Sequence, residues 1–526
     1  MKVQLRKIQP FPSAMYSEKF PFLESILQTF EDMEYNLDQY RKYTAHLEDQ
    51  IAELKKHPKK PRVKPSTLEK KEKKKAKGKR KSKPKNIEIH QKILLPVEGE
   101  KEGWRFKGYK DFLVQDLRIE NINTLYRRER WVNNQGKEVI AQLPGVLKNH
   151  HFGPRLIHWI LYQYHHAHVT IPLLHQELCE LGIQISQSEI SHLLLKEATR
   201  FSKEAENCFK EGVDKSGFLG VDDTSARVGG KNEICLYLGN SYFSQFITQL
   251  SKSRLSFLEA LCVKNLNYRV DKNALRYMRQ HGTLELLKIF TSLDGSTFSR
   301  EEFLKQLPKA MSSKTKRVAQ EACLWGELIF RWGGEEKLIM SDGARQYHLF
   351  SHSTCWVHAF RLLEKVFVGK SSEKKVQEIL HHLKKLYHFL KKYCKKPREE
   401  SKERLLKLFD LIADLRSGDK SFDKALDQFV SHKEELLQVL KHPELPLHNN
   451  LAEQSLREIV IRKKISGGAK NDRGSQARDL FCSLKQTCKK LKISFWEYLR
   501  DRIFERGEIS TLAKILSQKY ATAPGF

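Results

Sequence analysis

Three strand-like runs follow one another after Gly217: FLGVDDTSARVG, EICLYLGN and YFSQFITQL, separated by Gly and Asn turn residues. Short runs with such turns suit an antiparallel meander. Helical spacing then persists to about Gly334, and KLIMS, Lys337 to Ser341, gives a fourth strand that stops at Asp342-Gly343. The run HLFSHSTCWVHAFRLLEKV reads as a fifth strand turning into a helix. This order constrains the region to a mixed sheet-and-helix domain. Val376, Ile379, Leu383, Leu386, Leu390 and Tyr393 recur at helical spacing, as do Leu405 to Leu415 and Leu426 to Leu440, so an all-helical insertion follows the fifth strand. Glu453 lies just beyond it, on a helix beginning near Asn449.

A chain of 526 residues exceeds what one core organises, and 40% hydrophobic residues suffice for several folded domains. The 95 Lys+Arg against 64 Asp+Glu leave a charge of +31, which points to a polyanionic partner, nucleic acid first. No long apolar run, signal-peptide core or lipidation signal supports a membrane as the alternative. The nine cysteines are scattered without Cys-x-x-Cys pairs, as in a reducing cytoplasm, and read as buried thiols.

Upstream of the strands, Met33, Leu37, Tyr40, Thr44, Leu47, Ile51 and Leu54 alternate steps of four and three, which suits either a short coiled coil or one amphipathic helix. Lys55 to Lys85 holds 17 Lys or Arg against Glu69 and Glu72, and reads as a disordered arm that binds phosphates without reading sequence, or as a solvated linker. From Ile87 to Val146 apolar and polar residues alternate, as at Phe112, Val114, Leu117 and Ile119, and predict a small strand-rich module. Helical spacing returns at Leu156 to Tyr164. A helix from about Pro172 then ends near Gly182, and Ser186 with Glu189 forms a capping box that starts another. Two helices so joined match either a helix-turn-helix, with Gln187, Ser188, Ser191 and His192 facing a DNA groove, or a plain helical hairpin.

Asp222 at the end of the first strand, Asp342 at the end of the fourth and Glu453 on a later helix can converge. An oxygen-only site of this kind suits Mg2+ or Mn2+, and two such ions support in-line cleavage and transfer of phosphodiesters. Each residue also has a plain reading: Asp342 as a turn residue before Gly343, Glu453 in a capping box with Asn450 or paired with Arg457.

Over roughly its last three-fifths the chain resembles the insertion-sequence-66 family of bacterial transposases, which cut DNA with an Asp-Asp-Glu site. The resemblance rests on VDDTSARV, SDGARQY, CWVHAFR and LPLHNNLAEQSLREIVIRKKISGGAKNDRGSQARDLFCSLKQTCKKLKISFWEYL. The family's first motif usually reads Asp-Glu-Thr with the Asp catalytic, which implies Asp222 as a metal ligand and Asp223 as its variant neighbour. Its second Asp matches Asp342, and its Asn-Asn-x-x-Glu-x-x-x-Arg helix matches Asn449, Asn450, Glu453 and Arg457. The resemblance further implies a ribonuclease-H-like catalytic domain with helical insertions, preceded by a coiled coil and a helix-turn-helix. Two departures stand out. Members commonly carry a cysteine-based zinc module after the zipper, whereas the first cysteine here is Cys179, and the stretch from about 255 to 325 is a mostly helical addition between the two Asp.

Cys355 and His358 form a Cys-x-x-His pair that resembles one in such transposases, and with His348 and His352 they offer zinc donors. A soft site beside a hard one lacks support in the spacing, so the favoured reading is a phosphate-facing His358 and a buried Cys355. Arg457, Arg462, Lys463 and Lys464, with Lys470 and Arg473, are expected to hold the DNA backbone near the metals. The expected domains are 1–56 (coiled coil), 57–86 (basic linker), 87–148 (strand-rich module), 149–212 (helix-turn-helix), 213–369 (first catalytic part), 370–445 (helical insertion) and 446–526 (last catalytic part). The expected partners are double-stranded DNA at transposon ends and target, a second copy of the chain or more, and accessory proteins of the same element. The expected place is the bacterial cytoplasm, on the nucleoid when bound. A non-catalytic DNA-binding relic or regulator, and a structure-specific nuclease of the same fold, are the competing functions.

Overall fold

The computed structural model describes residues 88–96, 98–99, 103–145, 151–263, 266–282, 284–334, 336–366 and 373–522. The expected coiled coil at 33–54 and the basic run at 55–85 lie outside them. Two compact units emerge: a larger one that includes the described residues up to Cys355 and those from Glu434 on, and a helical one from Trp356 to Lys433. No helix among the described residues is long and apolar enough to cross a membrane.

The strand-rich reading of 87–146 needs correction. Among the described residues there, only β1 (Arg130–Val132) and β2 (Glu138–Ile140) pair, as one antiparallel hairpin, and Phe112, Val114, Leu117 and Ile119 are exposed and belong to no strand. Alternation marks a strand only where a second strand supplies the ladder, and among the described residues these apolar side chains stay exposed.

Three helices follow: α1 (Pro154–His165), α2 (Ile171–Glu180) and α3 (Gln187–Lys215). The capping box forms as expected. Ser186 Oγ accepts the Glu189 N–H at 3.2 Å while Glu189 Oε2 accepts the Ser186 N–H at 2.8 Å, so two of the orphan donors at the helix start are satisfied. Along α3 the buried residues Ile190, Leu193, Leu194, Phe201, Ala205, Cys208, Phe209 and Val213 recur at steps of three, four or seven, forming one apolar stripe.

The sheet is mixed, in the order β5–β4–β3–β8–β9. β3 (Phe218–Val228), β4 (Lys231–Gly239) and β5 (Ser244–Gln249) form the antiparallel meander, while β8 (Leu338–Ser341) and β9 (His352–Thr354) add in parallel beyond β3. All four residues of β8 are buried, as expected for a continuous apolar run between two parallel neighbours. Between β5 and β8 lie α4 (Arg254–Cys262), α5 (Lys272–His281), α6 (Leu284–Thr291), α7 (Arg300–Gln306) and α8 (Ser313–Arg331), with a two-stranded patch of β6 (Tyr268–Arg269) and β7 (Thr297–Phe298). The addition is therefore mostly helical, as expected.

The helical unit consists of α9 (Trp356–Val366), α10 (Glu373–Tyr393), α11 (Glu399–Ala413) and α12 (Lys420–Ser431). Its core is aromatic: Trp356 lies edge-on to Phe429 at 5.5 Å, and Phe429 stacks on Phe409 at 6.2 Å.

The chain then forms α13 (Lys433–Leu436), α14 (Asn450–Ser466), α15 (Asp472–Leu491), α16 (Phe495–Ile503) and α17 (Leu512–Thr522). Ala452, Leu456 and Ile459 of α14 pack with Ala226, Cys235, Tyr237 and Phe246 of the meander. α15 covers the free edge of β5 with polar side chains. Asp479 Oδ2 accepts the Thr248 N–H at 2.7 Å, Ser483 Oγ the Phe246 N–H at 2.9 Å and Thr487 Oγ1 the Ser244 N–H at 3.1 Å. Three residues spaced by four on one helix thus replace the missing strand of an edge. The thiols are mostly buried, with Cys179 the exposed exception and Cys394 intermediate.

Candidate active site

β3 and β8 are in parallel register through Gly220 and Met340. Two residues further along each backbone stand Asp222 and Asp342. Asp222 was expected at a strand end, but β3 runs on for six more residues, paired there with β4. What ends before Asp222 is only the pairing with β8, so Asp222 lies just past the carboxyl end of the parallel part of the sheet. Asp342 follows the last residue of β8 and is exposed, its Oδ1 accepting the Ala344 N–H at 3.1 Å. Glu453 lies in the first turn of α14. Burial pushes the Asp222 carboxyl up to about 7 from 3.8. The Asp223 N–H at 2.8 Å opposes that rise, and the charges of Asp342, Asp223 and Glu453 add to it. Asp222 thus lies close enough to Asp342 and Glu453 to feel their charges, and carboxylate oxygens of this kind are the donors that a hard divalent cation takes.

Asp223 is engaged on its own terms. Its carboxylate receives the Tyr347 hydroxyl at 2.9 Å and an ion pair from Lys252. Neighbours on a strand point to opposite faces, and the two adjacent carboxylates accordingly have different partners.

Helix α14 is fastened to β3 at both ends. Asn449 precedes the helix as its cap residue, but its side chain makes no cap bond. It reaches across to donate to the Val221 carbonyl at 2.7 Å, while its backbone N–H points to the Cys355 sulfur at 3.3 Å. This corrects the capping-box reading of the Asn450–Glu453 spacing, since the cap residue is Asn449 and its side chain is used elsewhere. The closeness is set by Gly220, where a Cβ would stand 3.2 Å from Asn449 Oδ1. At the far end Gly468, with φ +121°, lets the chain press on β3: a Cβ there would come within 2.3 Å of the Arg227 carbonyl. Ala469 then exchanges backbone hydrogen bonds with Arg227 and Gly229, each at 2.9 Å. Asn449 matched the helix motif in sequence, but nothing local announced that its amide ties the start of α14 to the backbone beside Asp222.

The family model for the transposase IS66 family matches residues 315–477, a stretch that includes Asp342 and Glu453. An uncharacterized protein, y4jO, of Sinorhizobium fredii (strain NBRC 101917 / NGR234) is 33% identical over 316 residues, covering 59% of this chain and 98% of that protein. The chain belongs to the IS66 family of transposases. The expected resemblance is thereby borne out.

Among the residues expected to meet DNA in this IS66-family protein, Gln187, Ser188 and His192 are exposed at the start of α3 and Ser191 is half-buried. Arg457 and Lys464 are exposed on α14, as are Lys470 and Arg473 beyond it. Arg462 is not available. It is 6% exposed, donates to the Tyr164 carbonyl and lies over the Tyr164 ring at 3.9 Å, a cation–π contact that spends the guanidinium on joining α14 to α1. Lys463 donates to Ser225 Oγ at 2.6 Å and to the Ser225 carbonyl at 3.1 Å, so it too braces α14 on β3. His358 lies half-buried on α9 of the helical unit. Cys355 is fully buried, as expected, and its sulfur receives the Asn449 N–H at the start of α14.

Proposed function

We propose that this protein is a DNA transposase that cleaves the ends of its element and joins them to target DNA, with Asp222, Asp342 and Glu453 as metal ligands in a ribonuclease-H-like domain. The carrying observation is that Asp222 and Asp342 stand at matching positions just past the parallel pairing of β3 and β8, where burial first, and then the charges of Asp342, Asp223 and Glu453, raise Asp222 to about 7. The order of three antiparallel and two parallel strands supports the fold assignment. Two Mg2+ (or Mn2+) ions held there would supply an activated water or 3'-hydroxyl on one side and neutralise the leaving oxygen on the other.

The chain's own groups do the rest. Asp222 and Asp342 offer oxygens from adjacent parallel strands, and Glu453 closes the set from a helix that Asn449 holds in place. Lys252 and Tyr347 keep Asp223 turned to its own partners. Arg457 and Lys464 are the exposed cations on α14 that would hold a DNA strand, with Lys463 retained only as a brace that could share its charge. Gln187, Ser188, Ser191 and His192 are proposed groove contacts of a helix-turn-helix formed by α2 and α3, and His358 a phosphate contact. A dimer or larger assembly on paired ends is part of the same proposal.

The test is incubation of the protein with labelled terminal repeats, a plasmid target and Mg2+. Wild-type protein should give both cleaved ends and joined products. Asp222→Asn, Asp342→Asn and Glu453→Gln should each lower both by a thousandfold or more on an order-of-magnitude view, with DNA binding kept. Cleavage without joining would reduce the reading to a nuclease, and full activity in any one variant would remove that residue from the site.

A further inference from the structure

A second cluster of metal-capable side chains lies on α13 and on the segment between Asp342 and Cys355. His352 Nδ1 stands 3.0 Å from Glu435 Oε2 and His348 Nδ1 3.3 Å from Glu435 Oε1, with the two imidazoles stacked at 4.1 Å. One donor atom from each of the three residues can be chosen so that all lie within 4.8 Å of one another. The far side of each ring is also held: His348 Nε2 meets the Gly343 carbonyl at 3.1 Å and His352 Nε2 meets Ser341 Oγ at 2.8 Å. The Thr354 hydroxyl donates to Glu435 as well.

Counting protons shows what this arrangement demands. A backbone carbonyl only accepts, so His348 must carry its proton on Nε2. A neutral ring then aims the Nδ1 lone pair at a carboxylate oxygen, and two lone pairs at 3.3 Å repel unless something positive lies between them. That can be a proton, making His348 an imidazolium, or a metal ion. Three features favour the metal. Tetrahedral ligands about 2.0–2.1 Å from zinc are about 3.3 Å apart, near the two separations found here. Both rings present Nδ1 to the same carboxylate. Each ring has a fixed acceptor behind it, as metal-bound imidazoles almost always do.

We propose that His348 Nδ1, His352 Nδ1 and a Glu435 oxygen bind a zinc ion, with a water as the fourth ligand. Two nitrogens and one oxygen select zinc over magnesium. His352 then carries its proton on Nε2 and donates it to Ser341 Oγ. Ser341 and Gly343, which hold the two rings, flank Asp342, so the ion's structural role is to fix the segment that presents that carboxylate. The site uses none of the three acidic residues and stands or falls apart from them.

The experiment uses the full-length protein purified without chelators. Metal analysis should find about one zinc per chain, and Co2+ put in its place should give the visible absorption of a four-coordinate site. Both should be lost in His352→Ala and weakened at least tenfold in Glu435→Gln, yet kept in Asp222→Asn. Should His352→Ala fail to fold, His348→Gln at the half-buried ring must lose the cobalt band while its circular dichroism is unchanged. Wild-type protein that retains no zinc and shows no cobalt band overturns the proposal and leaves a proton on His348 as the cation. A band that survives His348→Gln and disappears in Asp222→Asn overturns it too, by assigning the metal to the carboxylates.

Discussion

Asp222 shows how one side chain can make the fold depend on pH and, as a ligand of the proposed ions, on metal. Its ordinary value is 3.8 and in the folded protein it rises to about 7, first through burial and then through its acidic neighbours. Between those values the folded chain binds more protons at this group than the unfolded chain does, so metal-free stability falls as pH rises through that window. The proposed Mg2+ would relieve the repulsion only when the carboxylate is ionised. The melting temperature should therefore rise more on adding Mg2+ at pH 8 than at pH 6, and Asp222→Asn should remove most of that difference; an equal Mg2+ effect at both pH values in the wild type would contradict the coupling. Asn449 is the matching case for geometry. Removing its amide leaves the buried Val221 carbonyl without that donor and frees the start of α14. Asn449→Ala should cost about 1–3 kcal/mol in a urea melt and lower the cleavage rate roughly tenfold or more, with DNA affinity unchanged. Unaltered turnover would mean that Glu453 finds its position without this bond. In the sequence Asn449 stands out only through the family motif, and its partner cannot be read there because it is more than two hundred positions away.

At the level of elements, local signals were legible and long-range ones were not. β3, β4 and β5 announced themselves through short β-rich runs and Gly or Asn turns, and α3 through a Ser-x-x-Glu box whose bonds both form. The same reasoning failed between 88 and 145, where alternation is present but Trp104 and Phe112 remain exposed and only one hairpin pairs among the described residues. Arg462 failed for the opposite reason: a cation in a basic run looks solvated until Tyr164 is seen beneath it. The polar row on α15 was equally silent, since Asp479, Ser483 and Thr487 look like a solvated helix face but serve the β5 edge. Ser483→Ala and Thr487→Ala should each destabilise by about 1–3 kcal/mol, because each strands a buried backbone N–H. Hydrogen exchange should quicken at Phe246 in the first and at Ser244 in the second. Melts identical to wild type would show that water replaces the hydroxyls.

Across the whole molecule, the proposed catalytic carboxylates come from distant parts of the chain, and the helical unit is inserted between the second and the third. At about 5–20 residues per second, a ribosome needs on the order of ten seconds to pass from Asp342 to Glu453. During that interval the emerging meander has no α14 over Ala226, Cys235 and Tyr237, and no α15 along β5. Such a nascent chain carries a sticky apolar face and a bare strand edge, the two features that recruit holding chaperones and start aggregation. A chain stopped before Asn450 should accordingly be recovered mainly in the insoluble fraction, and supplying 446–526 as a separate chain should return part of it to solution. A fully soluble truncation would show that the sheet protects itself. The late helices would thus act as a timer as well as a scaffold: the proposed site cannot close in a nascent chain until Glu453 and the helix that carries it have been made.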